Sequence, residues 1–114
     1  MFGVYIADKD PITQKLMEIF VTSENRYRVV PWVNSAENPV DVILMDMTAA
    51  LCPGRWNDVE NLKKQNSKIK IILMTDLPEY SYIAQAKNMG ADSFWYKETS
   101  AEALRQIMEG PSLE

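Results

Sequence analysis

The sequence predicts an α/β domain: a five-stranded parallel sheet with helices on both faces. Three observations point there. Five short runs rich in apolar and β-branched residues alternate with segments that carry helical spacing or helix caps. The runs include continuously apolar stretches such as Val42 to Met45, as expected for strands buried on both faces. Four of the runs stop at a polar residue: Asp8, Asp46, Thr75 and Lys97. In open parallel sheets, ligands bind outside the carboxyl ends of the strands, where the strand order reverses.

Phe2 to Ala7 reads as the first buried strand. Asp10-Pro11 is a helix start, with Asp as N-cap and Pro at the first helical position. Ile12, Leu16, Ile19 and Phe20 carry that helix to about Thr22. Tyr27 to Val33 reads as a second strand, and Pro31 within it suits a sheet edge. Asp41 to Met45 is the third strand, Met47 to Gly54 a loop punctuated by Pro53-Gly54, and Asn57 to Asn66 a polar helix with Val59 and Leu62 inward. Ile69 to Met74 is the fourth strand, followed by a loop over Leu77 to Ser81. Tyr82 to Met89 is a helix that Gly90 ends. Ser93 to Tyr96 is the fifth strand. Thr99 to Glu102 spells a capping box for a last helix lined by Ala101, Leu104, Ile107 and Met108, which Gly110-Pro111 ends. Residues 1–110 thus form one domain, and 111–114 read as a linker stub or cloning remnant.

Only Asn34 to Val40 lie between the second and third strands. Seven extended residues reach roughly 23–25 Å, enough to run back along a strand, whereas a parallel crossover usually needs a dozen or more residues. The crossover helix is expected to be missing or at most one turn. The sheet face by the first two strands is then thinly covered, with Trp32 or a partner subunit to compensate.

The composition narrows the chemistry. The chain has 114 residues, a net charge of −4 and no basic run, which argues against a nucleic-acid surface within it. It has one cysteine and no histidine. That rules out an intrachain disulfide, His-based acid–base catalysis and His-containing zinc sites. No apolar run reaches membrane-spanning length, and the N-terminus lacks a signal-peptide layout, so a cytoplasmic protein is expected. Cys52 reads as an inert loop residue. Trp32, Trp56 and Trp95 read as packing residues, and Met45, Met47, Met74, Met89 and Met108 as core filler.

If the strand order is 2-1-3-4-5, Asp8 and Asp46 stand side by side, flanked by Thr75 and Lys97. Such a set suits phosphoryl transfer to a carboxylate, with Asp46 as nucleophile, Lys97 pairing a phosphoryl oxygen and Thr75 donating its hydroxyl. Asp10 has two readings, N-cap or ligand, and the cap is favoured. Lys9 either pairs inward with Asp46 or extends to solvent, and the inward reading is favoured.

The segments A-D-K-D-P, D-V-I-L-M-D, I-I-L-M-T and N-M-G-A-D-S-F-W-Y-K, followed by E-T-S, occur in order along nearly the whole chain. Together they resemble a response-regulator receiver domain, the CheY-like family, and this implies its flavodoxin-like fold, a five-stranded parallel sheet of order 2-1-3-4-5. The K-E-T-S ending is most similar to receivers of helix-turn-helix transcriptional regulators, whose output domain is expected to be absent from this chain. The resemblance implies Asp46 as phosphoacceptor, Thr75 as switch hydroxyl, Phe94 as switch aromatic and Lys97 as phosphate-pairing lysine. Asp8, Lys9 and Asp10 form the acidic loop.

The resemblance also implies a two-component phosphorelay in transcription regulation, with a histidine kinase or another phosphodonor as partner. A homodimer is compatible with it, whereas nucleic-acid or membrane contact by this domain is not expected. No enzyme activity is expected beyond self-catalysed phosphoryl transfer to Asp46. The signalling surface implied is that of the fourth helix, fifth strand and fifth helix.

Three departures stand out. Lys9 replaces the usual second acid, Ala50 replaces a proline after the phosphoacceptor loop, and the second crossover is about two helical turns short. The family's Mg²⁺ would be held by Asp8, Asp46 and the Thr48 backbone carbonyl. With Lys9 in the loop, binding is expected to be weak or absent. An alternative is therefore a phosphorylation-independent pseudo-receiver acting as a protein-interaction module. A flavin or small-molecule domain gains little support, because no Gly-rich loop follows the first strand.

Overall fold

The computed structural model of the chain describes residues 2–31, 39–52, 54–75, 80–97 and 99–109. Its strands are β1 (Phe2–Ala7), β2 (Tyr27–Val29), β3 (Val42–Asp46), β4 (Lys70–Thr75) and β5 (Ser93–Tyr96), and its helices are α1 (Pro11–Thr22), α2 (Met47–Ala50), α3 (Arg55–Gln65), α4 (Tyr80–Met89) and α5 (Ala101–Glu109). The strands form one parallel sheet in the order β2-β1-β3-β4-β5, as the sequence predicts.

Alternate residues of each central strand feed two cores. Val4, Ile6, Val42, Leu44, Ile72 and Met74 face one side, where α1 brings Met17 and Val21 and α5 brings Leu104 and Met108. Ile43, Met45, Ile71 and Leu73 face the other, against Val59 and Leu62 of α3 and Ala86 of α4. Burial on both faces accounts for the continuous apolar runs. Met45, Met47, Met74, Met108 and Trp95 are buried core residues, while Met89 and Trp56 pack against the core from its edge.

Several boundaries differ from the sequence reading. β2 stops at Val29 rather than Val33. The Val30 N–H still donates to Val4 O at 2.9 Å, but Pro31 has no N–H to continue the ladder. α2 occupies part of the expected Met47–Gly54 loop, because the Asp46 side chain accepts from Thr48 N–H and caps a short turn. α3 begins at Arg55, two residues early, behind Gly54 at φ 82°. α4 begins at Tyr80.

The expected capping box does not form. Ser100 Oγ accepts from Ala103 N–H at 3.1 Å, while Thr99 Oγ1 donates back to Tyr96 O at 2.7 Å. Ser100, adjacent to the first helical residue, is therefore the cap. Gly90 ends α4 as expected, at φ 94°, with Ala91 N–H donating to Ala86 O.

The apolar spacing in α1 marks the helix correctly but not its inner face. Met17 and Val21 are buried, whereas Ile12 is 71% exposed and Leu16 and Ile19 are more than half exposed. Helical periodicity cannot tell which of two apolar stripes a sheet will cover.

The seven residues from Trp32 to Glu37 and Asn38 lie outside the described residues, so the missing crossover helix and the role of Trp32 do as well. So do Pro53, Gly110-Pro111 and the stub 111–114. The chain that returns to β3 is seen from Pro39 onward, and it lies directly on β1. Asp41 Oδ2 accepts from Gly3 N–H at 2.7 Å, and Asp41 N–H donates to Gly3 O at 2.8 Å. Val30 and Val40 are buried there, with Tyr5 packed beside them. This extended chain covers part of the face that the short crossover leaves.

Candidate functional site

The carboxyl ends of β1, β3, β4 and β5 bring together Asp8, Asp46, Thr75 and Lys97. Asp46 ends a fully buried strand and is itself 3% exposed. Its Oδ1 accepts from Thr48 N–H at 2.7 Å and its Oδ2 from Lys97 Nζ at 2.5 Å. Thr75 is buried at the end of β4, and its carbonyl accepts from Lys97 N–H at 2.8 Å, which fixes where the lysine leaves the sheet.

Lys97 is the centre of the cluster. Its Nζ also donates to Asp8 Oδ2 at 2.6 Å, so one ammonium bridges two carboxylates. Burial pulls the Lys97 pKa down, but the hydrogen bonds to Asp46 and Asp8 outweigh it and hold the value above 10.5. Opposite charges in a site shielded from water interact more strongly than at the surface.

Asp8 is fixed from three sides. Its Oδ1 accepts from Asp10 N–H at 2.9 Å, its Oδ2 holds Lys97, and its own N–H donates to Gln14 Oε1 at 2.8 Å. Gln14 Nε2 in turn donates to Ile6 O at 3.0 Å. Gln14 is thus a positioning residue that ties α1 to the end of β1, and sequence reasoning missed it. The signal was present, since Gln14 is a polar residue on the stripe shared with Met17 and Val21.

Asp10 acts as the N-cap. Its Oδ2 accepts from Thr13 Oγ1 at 2.8 Å and its Oδ1 from Ile12 N–H at 3.2 Å, and these bonds, the Thr13 hydroxyl first, hold its pKa below the usual value. Lys9 is exposed and makes no ion pair with Asp46, so the inward reading of Lys9 is corrected: Lys97 already fills that place. Phe94 lies on β5, half-buried against the core on the α3–α4 side.

The donor set does not fit a divalent cation of the usual kind. Mg²⁺ wants oxygen ligands in near-octahedral array. Asp8 and Asp46 each have both oxygens engaged by Lys97 or a backbone N–H, and Asp10 is turned to its helix. The Thr48 carbonyl, inside α2, points along the helix axis away from its N-terminal cap Asp46, and it accepts from Cys52 Sγ at 3.5 Å. Among the described residues no group of three acids, cysteines or histidines converges.

Beside this cluster opens a cavity of about 370 Å³ between β1, the β1–α1 loop and α2. Tyr5, Lys9, Thr48 and Arg55 line it. Arg55 and Tyr5 were not singled out by the sequence.

The sheet order and flanking helices give a CheY-like fold, the fold of response-regulator receiver domains. Solved structures agree over nearly the whole chain. A response regulator receiver domain protein from Clostridium thermocellum superposes with a TM-score of 0.73 at 16% identity, covering 96% of this chain and 92% of that one. A CheY-like receiver domain protein from Methanospirillum hungatei gives 0.70 at 18% identity, covering 96% and 91%. The response regulator DrrB from Thermotoga maritima, an OmpR/PhoB homolog, gives 0.68 at 18% identity, and this chain spans 53% of its length. No protein-family model matches the chain, and no curated protein matches it by sequence.

Proposed function

We propose that the chain is an atypical receiver domain of a two-component phosphorelay, accepting a phosphoryl group on Asp46 and signalling by conformational change. The observation that carries this reading is the buried Asp46 carboxylate held by Lys97 Nζ at 2.5 Å. An Asp46 oxygen attacks the donor phosphorus, the bond from phosphorus to the donor's leaving atom breaks, and the leaving group takes the electron pair and then a proton. Lys97 moves from carboxylate to phosphoryl oxygen and offsets the added negative charge. In this reading Thr75 donates its hydroxyl to the same group, biasing Phe94 and the face of α4, β5 and α5. The donor is a histidine kinase or another phosphodonor, and the Lys97 ammonium supplies positive charge at the cluster where the family would use Mg²⁺.

A second reading has its own support. Asp8 and Asp46 are both closed onto Lys97, and Lys9 adds a cation where a third acid would favour metal. In this reading the domain is a pseudo-receiver that binds a protein partner without phosphate.

Incubation with a small phosphodonor, with and without Mg²⁺, followed by intact mass, separates the two. A phosphate adduct that vanishes in Asp46→Ala supports phosphoryl acceptance. No adduct on the wild type, under conditions that modify a Lys9→Asp variant, supports the pseudo-receiver.

A further inference from the structure

We infer that the cavity beside the Asp46 cluster is a binding site for a small organic anion, one carboxylate or phosphate on a flat apolar body. It does not depend on phosphorylation of Asp46.

The cavity, about 370 Å³, is within the range of roughly 300–1,000 Å³ that small ligands occupy. It sits at the carboxyl ends of β1 and β3, the switch point of the sheet. Its charge is uneven. Lys9 and Arg55 both line it, and among the described residues neither makes an ion pair. The one acid in the lining, Asp8, is already neutralised by Lys97. Two uncompensated cations therefore converge on one cavity of a chain whose net charge is −4.

The recognition groups are positioned in advance. Arg55 Nη1 donates to Tyr5 Oη at 3.1 Å, so the guanidinium is held against a strand residue rather than left free. A guanidinium so fixed loses less freedom on pairing with a planar carboxylate or a phosphate. Arg55 also opens α3, an eleven-residue helix whose cap, Gly54, has no side chain to accept from its first N–H groups. The positive end of that helix adds to the same field. Tyr5, Ala7 and Ala49 supply the apolar wall for the body of the ligand.

Occupancy would reach the Asp46 cluster directly. Thr48 lines the cavity, and its N–H donates to Asp46 Oδ1. Gln14, also in the lining, holds Asp8 N–H. A ligand that draws on either residue alters how the two carboxylates are held.

The test is a titration of the full chain with phenyl phosphate, with benzoate and with inorganic phosphate, followed by amide chemical shifts. Saturable shifts at Lys9, Thr48, Ala49 and Arg55 with phenyl phosphate or benzoate are expected, and the tighter of the two names the headgroup. Lys9→Gln and Arg55→Gln should each weaken binding about tenfold, with unchanged melting temperature, while Lys15→Gln, at an exposed lysine outside the described lining, should not. Because Cys52 is the single cysteine and borders the cavity, the same ligands should slow its alkylation. Shifts centred elsewhere, no saturation at millimolar ligand, binding by inorganic phosphate as tight as by the organic anions, or Lys9 and Arg55 variants that bind as well as wild type would each overturn the proposal. All readouts use unphosphorylated protein, so their failure leaves the phosphorelay reading untouched.

Discussion

Lys97 Nζ stands 2.5 Å from Asp46 Oδ2, and that contact, shared with Asp8, closes the carboxyl end of the sheet with a single buried ammonium. Removing a partner from a buried ion cluster strands the remaining charge, at a cost of about 3–5 kcal/mol. Lys97→Met should therefore lose stability on that scale at neutral pH, since it leaves Asp8 and Asp46 facing each other. Urea unfolding of the variant against wild type measures this, and a loss below about 1 kcal/mol would mean that the cluster is open to water.

The same contact has a pH signature. The folded Lys97 pKa is raised above the 10.5 of the unfolded chain, so the folded state holds the proton more tightly. The stabilisation is complete below pH 10.5 and drains as pH rises through the folded value. Wild type minus Lys97→Met should be constant from neutral pH to about pH 10 and shrink above it. A difference that shrinks on acidification only would contradict this assignment.

Replacing Lys9 tests whether it limits the affinity of the acidic loop for cations. With Lys9 in place, Asp8, Asp46, Lys9 and Lys97 sum to zero charge, and Asp10 is committed to capping α1. Lys9→Asp changes the sum to −2 and adds a carboxylate beside Asp8. Mg²⁺ binding, followed by amide shifts of Asp8 and Asp46, should strengthen about tenfold or more. Equal affinity in both proteins would show that Lys97, not Lys9, governs metal binding.

The helix α1 gives a paired prediction. Met17→Ala should cost about 2–5 kcal/mol, as Met17 is buried against the sheet. Leu16→Gln, one residue earlier, should change stability by less than about 0.5 kcal/mol, as Leu16 faces solvent. Thermal melts of the two variants decide it, and a large loss in Leu16→Gln would mean that a second copy covers the stripe.

That pair also marks where the sequence stops being legible. The place of Asp8, Asp46, Thr75 and Lys97 at one end of the sheet follows from apolar runs that end at polar residues, because a parallel sheet aligns those ends, whereas the strand order rests on the resemblance to receiver domains. Periodicity locates α1 but does not choose between Met17–Val21 and Ile12–Leu16–Ile19, a choice made by the sheet. Asp46 as a helix cap was missed because the turn it caps has only four residues, too few for a periodic signal. Tyr5 and Arg55 were missed because they are fifty positions apart in sequence and no motif joins them. The pairing of Lys97 with Asp8 and Asp46 is not in the sequence reading, which gives Lys97 a phosphoryl oxygen and Asp46 to Lys9, since charge counting alone does not say which of two lysines points inward.

Gly3 tests whether the returning chain is held tightly on β1. A Cβ at this position would lie 2.0 Å from Pro39 O and 3.2 Å from Val30 Cγ1. The first contact is with backbone, which cannot rotate away, and the two Gly3–Asp41 hydrogen bonds hold that backbone in place. Gly3→Ala must push the segment from Pro39 to Asp41 off β1, breaking those bonds or straining the strand. The cost should be about 3 kcal/mol, unlike Gly→Ala in an open strand, where the lower unfolded-state entropy of Ala would favour the variant. Urea unfolding gives the value. A neutral or stabilising Gly3→Ala would show that the chain from Pro39 to Asp41 stands away from β1, and that the face left by the short crossover is covered by something else.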